Sequence, residues 1–134
     1  MEIKVVSADD VLLIRQTVLY PDKSPAELKL PEDEKGLHFG LFVEAKLISV
    51  ISLFINGGEA QFRKFATLPE YQGKGYGSLL LKHILALSSD KGCQLVWCNA
   101  RTSAINFYLR FGFQTTDKTY SKDGVDFIIM EKSI

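Results

Sequence analysis

The stretch Leu47 to Ile55, LISVISLFI, constrains this chain more than any other segment. It is nearly continuous in apolar residues, so it reads as a strand covered on both faces, and such a strand calls for helices on each side of its sheet. Its neighbours agree with that reading. Leu37 to Glu44 and Ala60 to Leu68 also have strand character, and only Ala45-Lys46 and Asn56-Gly57-Gly58 part them from it. Breaks this short join antiparallel partners, which gives a three-strand meander.

Ahead of the meander, Glu2 to Val6 reads as a short strand. Ser7 follows as a helix N-cap with Asp10 three residues on, and Val11, Leu12, Ile14, Val18 and Leu19 recur at helical spacing. Pro21, Pro25 and Pro31 rule out a long helix between Tyr20 and Gly36. With the acidic run Glu32-Asp33-Glu34 they predict a solvated surface loop with one turn of helix. Beyond the meander, Leu80, Ile84 and Leu87 form a helical stripe with Leu81 and Leu85 beside it, and Gly92 suits the left-handed residue that ends a helix. A strand over Gln94 to Asn99 and a short helix over Thr102 to Arg110 follow. The last expected element is a hairpin of Phe113 to Tyr120 with Val125 to Glu131, turning at Lys122-Asp123-Gly124. The expected fold class is α/β (α+β): a mixed sheet of about seven strands with helices on both faces, in a single domain over residues 1–134.

Sixteen basic and sixteen acidic residues cancel. No broad positive field is therefore available for duplex nucleic acid or an anionic membrane, and neither partner is expected. No segment reaches the roughly 20 apolar residues of a membrane span, and the opening MEIKVVSADD lacks the blocks of a secretion signal, so the expected location is cytoplasmic. Cys93 and Cys98 lie in or beside an apolar run and read as reduced, buried thiols. With only His38 and His83 besides, no metal site is expected.

Gly73, Gly75 and Gly77 recur at every second position between a strand and a helix. Residues without a Cβ let the backbone turn tightly and aim several N–H groups into one concavity at the positive end of the helix dipole, a place that binds phosphates. Lys74 adds charge at the rim. The spacing fits neither a Walker loop, since Gly75 follows the Gly-Lys pair where Ser or Thr is needed, nor the GxGxxG of a dinucleotide fold.

QGKGYG, preceded by ATLPEY, resembles the pyrophosphate loop of the GNAT family of N-acetyltransferases. That loop runs Gln or Arg, two residues, Gly, one residue, then Gly or Ala; here Gln72, Gly75 and Gly77 supply it. A second stretch, RTSAINFYLRFGF from Arg101 to Phe113, resembles the family's later helix motif through Ala104, Phe107-Tyr108 and Gly112-Phe113. Two motifs in order with a strand between them are far more specific than either alone. The chain departs from the family in carrying Arg101 where many members have Asn, and in replacing their second helix with the Pro-rich segment.

The resemblance implies a GNAT-like, mostly antiparallel sheet splayed at the fourth and fifth strands. It implies acetyl-CoA (acetyl-coenzyme A) as cosubstrate, with acetyl passing to a primary amine by direct attack in a ternary complex. Gln72, Gly73, Lys74, Gly75, Tyr76, Gly77 and Ser78 would then hold the pyrophosphate. The pantetheine arm would lie like an added strand along Phe65, Ala66 and Thr67, with an N–H of Phe65 or Ala66 aimed at the thioester oxygen. The attacking amine must be neutral, yet a lysine-like amine has a pKa of about 10.4, so a base is needed. Glu59, which alternates with Gln61 and Arg63 on one strand face, is the candidate, acting directly or through water. Tyr108 matches the family's helix tyrosine and is the candidate general acid for the departing thiolate, although its spacing with Ala104, Phe107 and Phe111 also suits plain core packing. The acceptor is a small-molecule amine or a protein amine, and the chain is a monomer or a homodimer. A non-catalytic coenzyme A sensor or interaction module with the same fold stays open as the alternative, as does a nucleotide-binding protein.

Overall fold

Two neighbouring residues of the apolar run, Val50 and Ile51, are both fully buried, yet they belong to different hydrophobic clusters. The strand between them is thus covered on both faces, as its composition requires. The computed structural model describes all 134 residues. In chain order they form β1 (Glu2–Val6), then α1 (Leu12–Ile14) widening into a π-helical turn (Arg15–Leu19). Two 3₁₀ turns (Pro25–Leu28 and Asp33–Lys35) lead into β2 (Leu37–Val43), β3 (Lys46–Asn56) and β4 (Glu59–Thr67). After a further 3₁₀ turn (Pro69–Tyr71) come α2 (Tyr76–Asp90), β5 (Leu95–Arg101), a last 3₁₀ turn (Thr102–Ala104), α3 (Ile105–Leu109), β6 (Gln114–Lys122) and β7 (Val125–Ser133). The strands make one seven-stranded sheet in the order β1-β2-β3-β4-β5-β7-β6, and every neighbouring pair is antiparallel except β4 with β5.

One cluster joins Leu80, Leu81 and Ile84 of α2 to Phe39, Ile51 and Leu53 of the sheet; the other joins Val11 and Ile14 to Val50 and Ala66. The C-terminus of α2 closes as its glycine predicts. Gly92 takes φ of 82°, its N–H bonds to the Ser89 carbonyl at 3.0 Å, and the Cys93 N–H bonds to the Ser88 carbonyl at 3.0 Å. These paired bonds satisfy carbonyls that the helix leaves free. At the other end of the chain Ser7 and Asp10 exchange the two bonds of a capping box, N–H to carboxylate at 3.0 Å and N–H to hydroxyl at 3.1 Å. The helix they introduce is shorter than its apolar periodicity suggests, because from Arg15 onward it widens into the π turn.

The segment between Tyr20 and Gly36 departs from expectation. It holds two 3₁₀ turns rather than one, and Asp33 is not solvated: it is 1% exposed and faces Arg15, which is 0% exposed. The guanidinium donates to both carboxylate oxygens, at 2.7 and 3.0 Å, and also to the Leu28 carbonyl at 3.0 Å and the Ser52 hydroxyl at 2.9 Å. Asp33 accepts a further bond from the Leu30 N–H at 2.8 Å. His38 Nε2 donates to the Asp33 carbonyl at 2.7 Å, and its Nδ1 lies 2.7 Å from the Ser52 hydroxyl, which can donate to it. Of the whole network only Arg15 Nε lacks a partner. A carboxylate can be buried here because a bidentate cation meets it.

Burial alone raises the Asp33 carboxyl. The Arg15 hydrogen bonds, the Leu30 N–H and the charge of Arg15 outweigh that effect and hold it below its ordinary 3.8. A depressed folded pKa contributes stability that is complete above the unfolded value and disappears as pH falls through the folded one. An Asp33→Asn variant, which strands a buried guanidinium, is expected to lose about 3 to 5 kcal/mol. Urea unfolding across pH 3 to 7 measures this, and the variant should also lose the part of the acid sensitivity that Asp33 supplies.

Candidate active site

β4 and β5 run together for only three residue pairs, Glu59 with Leu95, Ala60 with Val96 and Gln61 with Trp97. Beyond them β5 continues on β7 and β4 continues on β3, so the backbone of Phe62 to Thr67 on its β5 side has no strand partner. A cluster of rings packs beside the point where the two strands part. Phe62 lies with its centroid 5.7 Å from Tyr108 and 5.9 Å from Phe113. A bulge opens in the same place: Ser52 pairs with Arg63 and Val50 with Ala66, leaving Lys64 and Phe65 opposite the single residue Ile51. Lys64 takes φ of 54°, a left-handed conformation that costs a non-glycine residue about 1 kcal/mol or more.

Where β4 ends, the glycine loop begins. Gly73 and Gly75 have φ of 75° and 87°, and Gly75 caps α2 with no side chain bonding the helix start. From Gly73 to Ser78 no backbone N–H donates within the chain; the first that does is Leu79, to the Gly75 carbonyl at 3.1 Å. Six successive donors at the positive end of a helix dipole are thus left without a partner in the chain. Two features fix the loop against β4. The Gln72 side-chain amide donates to the Thr67 carbonyl at 2.8 Å, and a Cβ at Gly77 would come within 3.3 Å of the Phe65 ring and 3.4 Å of the Thr67 hydroxyl. Phe65, Thr67 and residues 72–78 are therefore one continuous surface, with Ala66 buried beneath it. Its donors and its opened strand edge suit a diphosphate ester with an amide-bearing arm.

At the mouth of the splay lies a cavity of about 190 Å³. Its walls include Tyr20 just after the π turn, Arg63, Lys64 and Phe65 of β4, Asn99 and Arg101 of β5, Tyr108 of α3, and Tyr120 and Lys122 of β6. The Tyr108 ring packs on Phe62 and Phe113, as core packing expects, and it also lines the cavity. Burial first, and Cys98 second, push its phenol well above the ordinary 10, so it keeps its proton throughout the working range. Burial likewise pushes the Cys98 thiol up to about 12, which makes it inert as a nucleophile. Arg101 donates to the Leu19 carbonyl at 3.2 Å and lies over the Tyr20 ring, so it ties β5 to the end of the π turn.

Glu59 is placed elsewhere. It opposes Asn56 and Leu95 at the paired end of β4, it is exposed, and four residues of strand, about 13 Å, separate it from Arg63. A direct role for Glu59 draws no support from this position. Tyr20, Lys64, Asn99 and Lys122 were not singled out by the sequence. Their convergence depends on the bulge and on the C-terminal hairpin folding across the splay, and neither has a signature in residue spacing.

Comparison with known proteins fits this geometry. Residues 7–134 match the model of a GNAT acetyltransferase domain. The uncharacterized N-acetyltransferase YitI of Bacillus subtilis is 31% identical over 144 aligned positions, covering 100% of this chain and 97% of that protein. The [ribosomal protein bS18]-alanine N-acetyltransferase of Haemophilus influenzae is 33% identical over 92 positions, covering 67% of this chain and 63% of that protein. Among solved structures, the PaiA N-acetyltransferase of Thermoplasma acidophilum in complex with coenzyme A superposes with a TM-score of 0.75 at 25% identity, covering 100% of both chains.

Lys64 ends in the cavity, and its amine is pushed down to about 8, first by burial and then by the charges of Arg63, Arg15, Lys122 and Arg101. A folded pKa below the unfolded one means that a charged Lys64 destabilises the fold fully below pH 8. That cost shrinks as pH rises to 10.5 and is gone above it. Lys64→Gln is therefore expected to raise Tm by about 5 °C at pH 7, with the gain vanishing near pH 10.5. Thermal unfolding of both proteins over that range checks the sign.

Proposed function

The chain belongs to the GNAT family of N-acetyltransferases and is an acyltransferase; from this we propose that its donor is acetyl-CoA and that a primary amine attacks the donor directly in a ternary complex. The observation that carries the reading is the run of unpartnered N–H groups from Gly73 to Ser78, set against an opened edge of β4. The donor supplies an activated acetyl thioester. Gly73 to Ser78 bind and orient its diphosphate, Gln72 holds the loop by occupying the Thr67 carbonyl, and the β4 backbone groups on the β5 side that remain unpartnered take the amides of its arm. A β4 N–H at the splay, in Phe65 or Ala66, then faces the thioester oxygen and stabilises the negative charge that develops there.

The amine must shed a proton, and the cavity wall carries no carboxylate to take it. It has positive charges instead. Like charges disfavour an ammonium, so the wall itself lowers the pKa of a bound amine and raises the fraction that is free base. In this account Glu59 is not required. Tyr108, whose ring lines the cavity, donates to the sulfur as it departs and recovers the proton that the nitrogen loses as the amide forms; burial makes its phenol a weaker acid, so the donation has to be concerted with that return.

Two measurements test the proposal. Gly75→Ala places a Cβ at φ of 87°, so the loop must distort, and the coenzyme A Kd read by calorimetry is expected to rise about tenfold. Tyr108→Phe keeps the ring and removes the hydroxyl, so kcat is expected to fall about a hundredfold with coenzyme A binding unchanged. Undiminished turnover would remove Tyr108 from the mechanism.

A further inference from the structure

Resting on the reading above, we propose that the acceptor is a small primary amine that carries its own anionic group a few bonds from the nitrogen. Every charged side chain on the cavity wall is a cation: Arg63, Lys64, Arg101 and Lys122. The chain as a whole has sixteen basic and sixteen acidic residues, so this grouping is a local feature and not a reflection of composition. Two carboxylates outside the wall are held in ion pairs, Glu32 with Arg63 at 3.4 Å and Asp123 with Lys23 at 3.4 Å. Lys64, Arg101 and Lys122 have no ion-pair partner.

The ring of Tyr20 gathers two of these cations, Lys64 and Arg101, together with Lys23 from outside the wall. Lys64 Nζ lies 4.7 Å from its centroid, Lys23 Nζ 5.0 Å and Arg101 Cζ 5.6 Å. A ring face attracts each cation but leaves their mutual repulsion in place. An incoming anion relieves that repulsion, whereas a polyamine adds to it. Size points the same way, because about 190 Å³ is below the roughly 300 to 1,000 Å³ of pockets that enclose drug-sized ligands. Carboxylate and phosphate share the chemistry that this wall recognises.

Matched pairs of acceptors isolate the charge. With acetyl-CoA as donor, β-alanine is compared with β-alaninamide, O-phosphoethanolamine with ethanolamine, and spermidine is run alongside. The anion-bearing member of at least one pair is expected to exceed its neutral partner about ten- to hundredfold in kcat/KM, and whichever pair separates identifies the anion. Lys122→Gln, at the exposed hairpin end of β6, is expected to raise the KM of that acceptor several-fold while the coenzyme A Kd stays within about twofold. Lys122→Glu should narrow the ratio further. Equal turnover within both pairs, or spermidine outrunning every anion-bearing amine, overturns the inference. So does a protein that binds coenzyme A and acetylates none of the anion-bearing amines, and in that case the reading of the donor loop survives. Failure of the wild-type chain to bind coenzyme A overturns that reading, and this inference with it.

Discussion

β4 and β5 share three residue pairs before they part, and the cavity and the unpartnered edge of β4 both depend on that parting. Phe62, Tyr108 and Phe113 pack ring against ring in the core beside it. Were the two strands paired along their whole length, the β5 side of Phe62 to Thr67 would have a strand partner and no edge would be left open. Tyr108 belongs both to the ring cluster and to the cavity wall, so the core and the cavity share a side chain.

A second constraint acts at a distance. The Arg15–Asp33 pair is buried, and such pairs add little net stability compared with apolar residues of the same size. What it does here is geometric. It fixes the π turn and the Pro-rich segment to each other and, through Ser52, to β3. Tyr20 leaves the π turn, and Glu32 precedes Asp33. The position of the cation-gathering ring and of the carboxylate on Arg63 both follow from that one anchor.

Much of this was legible in the sequence. The apolar run at Leu47 to Ile55 announced a strand covered on both faces, and Gly92 announced the helix end that two hydrogen bonds now define. The glycines between β4 and α2 stand where a strand-to-helix loop was read. An acidic run looks solvated when only its neighbours are considered, whereas the partner of Asp33 lies 18 residues earlier on another element. Strand alternation points to Glu59, but alternation says which face a residue shares, not how far along the strand the chemistry lies. The bulge at Lys64 breaks that alternation without a glycine or proline to mark it, so the cations that gather beyond it could not be foreseen from spacing.

In the proposed reaction the positive wall serves two ends that pull against each other. Repelling an ammonium lowers the pKa of the amine and readies it for attack, yet it also weakens the binding of that amine. An acceptor with only cationic groups gains the first effect and suffers fully from the second. An acceptor with one anion binds through that anion, and one negative charge against Arg63, Lys64, Arg101 and Lys122 leaves the cavity positive even after the Arg63 contact with Glu32 is counted. The residual field still favours the neutral amine. On this proposal binding and activation are carried by different atoms of the acceptor, and that separation would let a cavity with no carboxylate of its own run a reaction that begins with the loss of a proton.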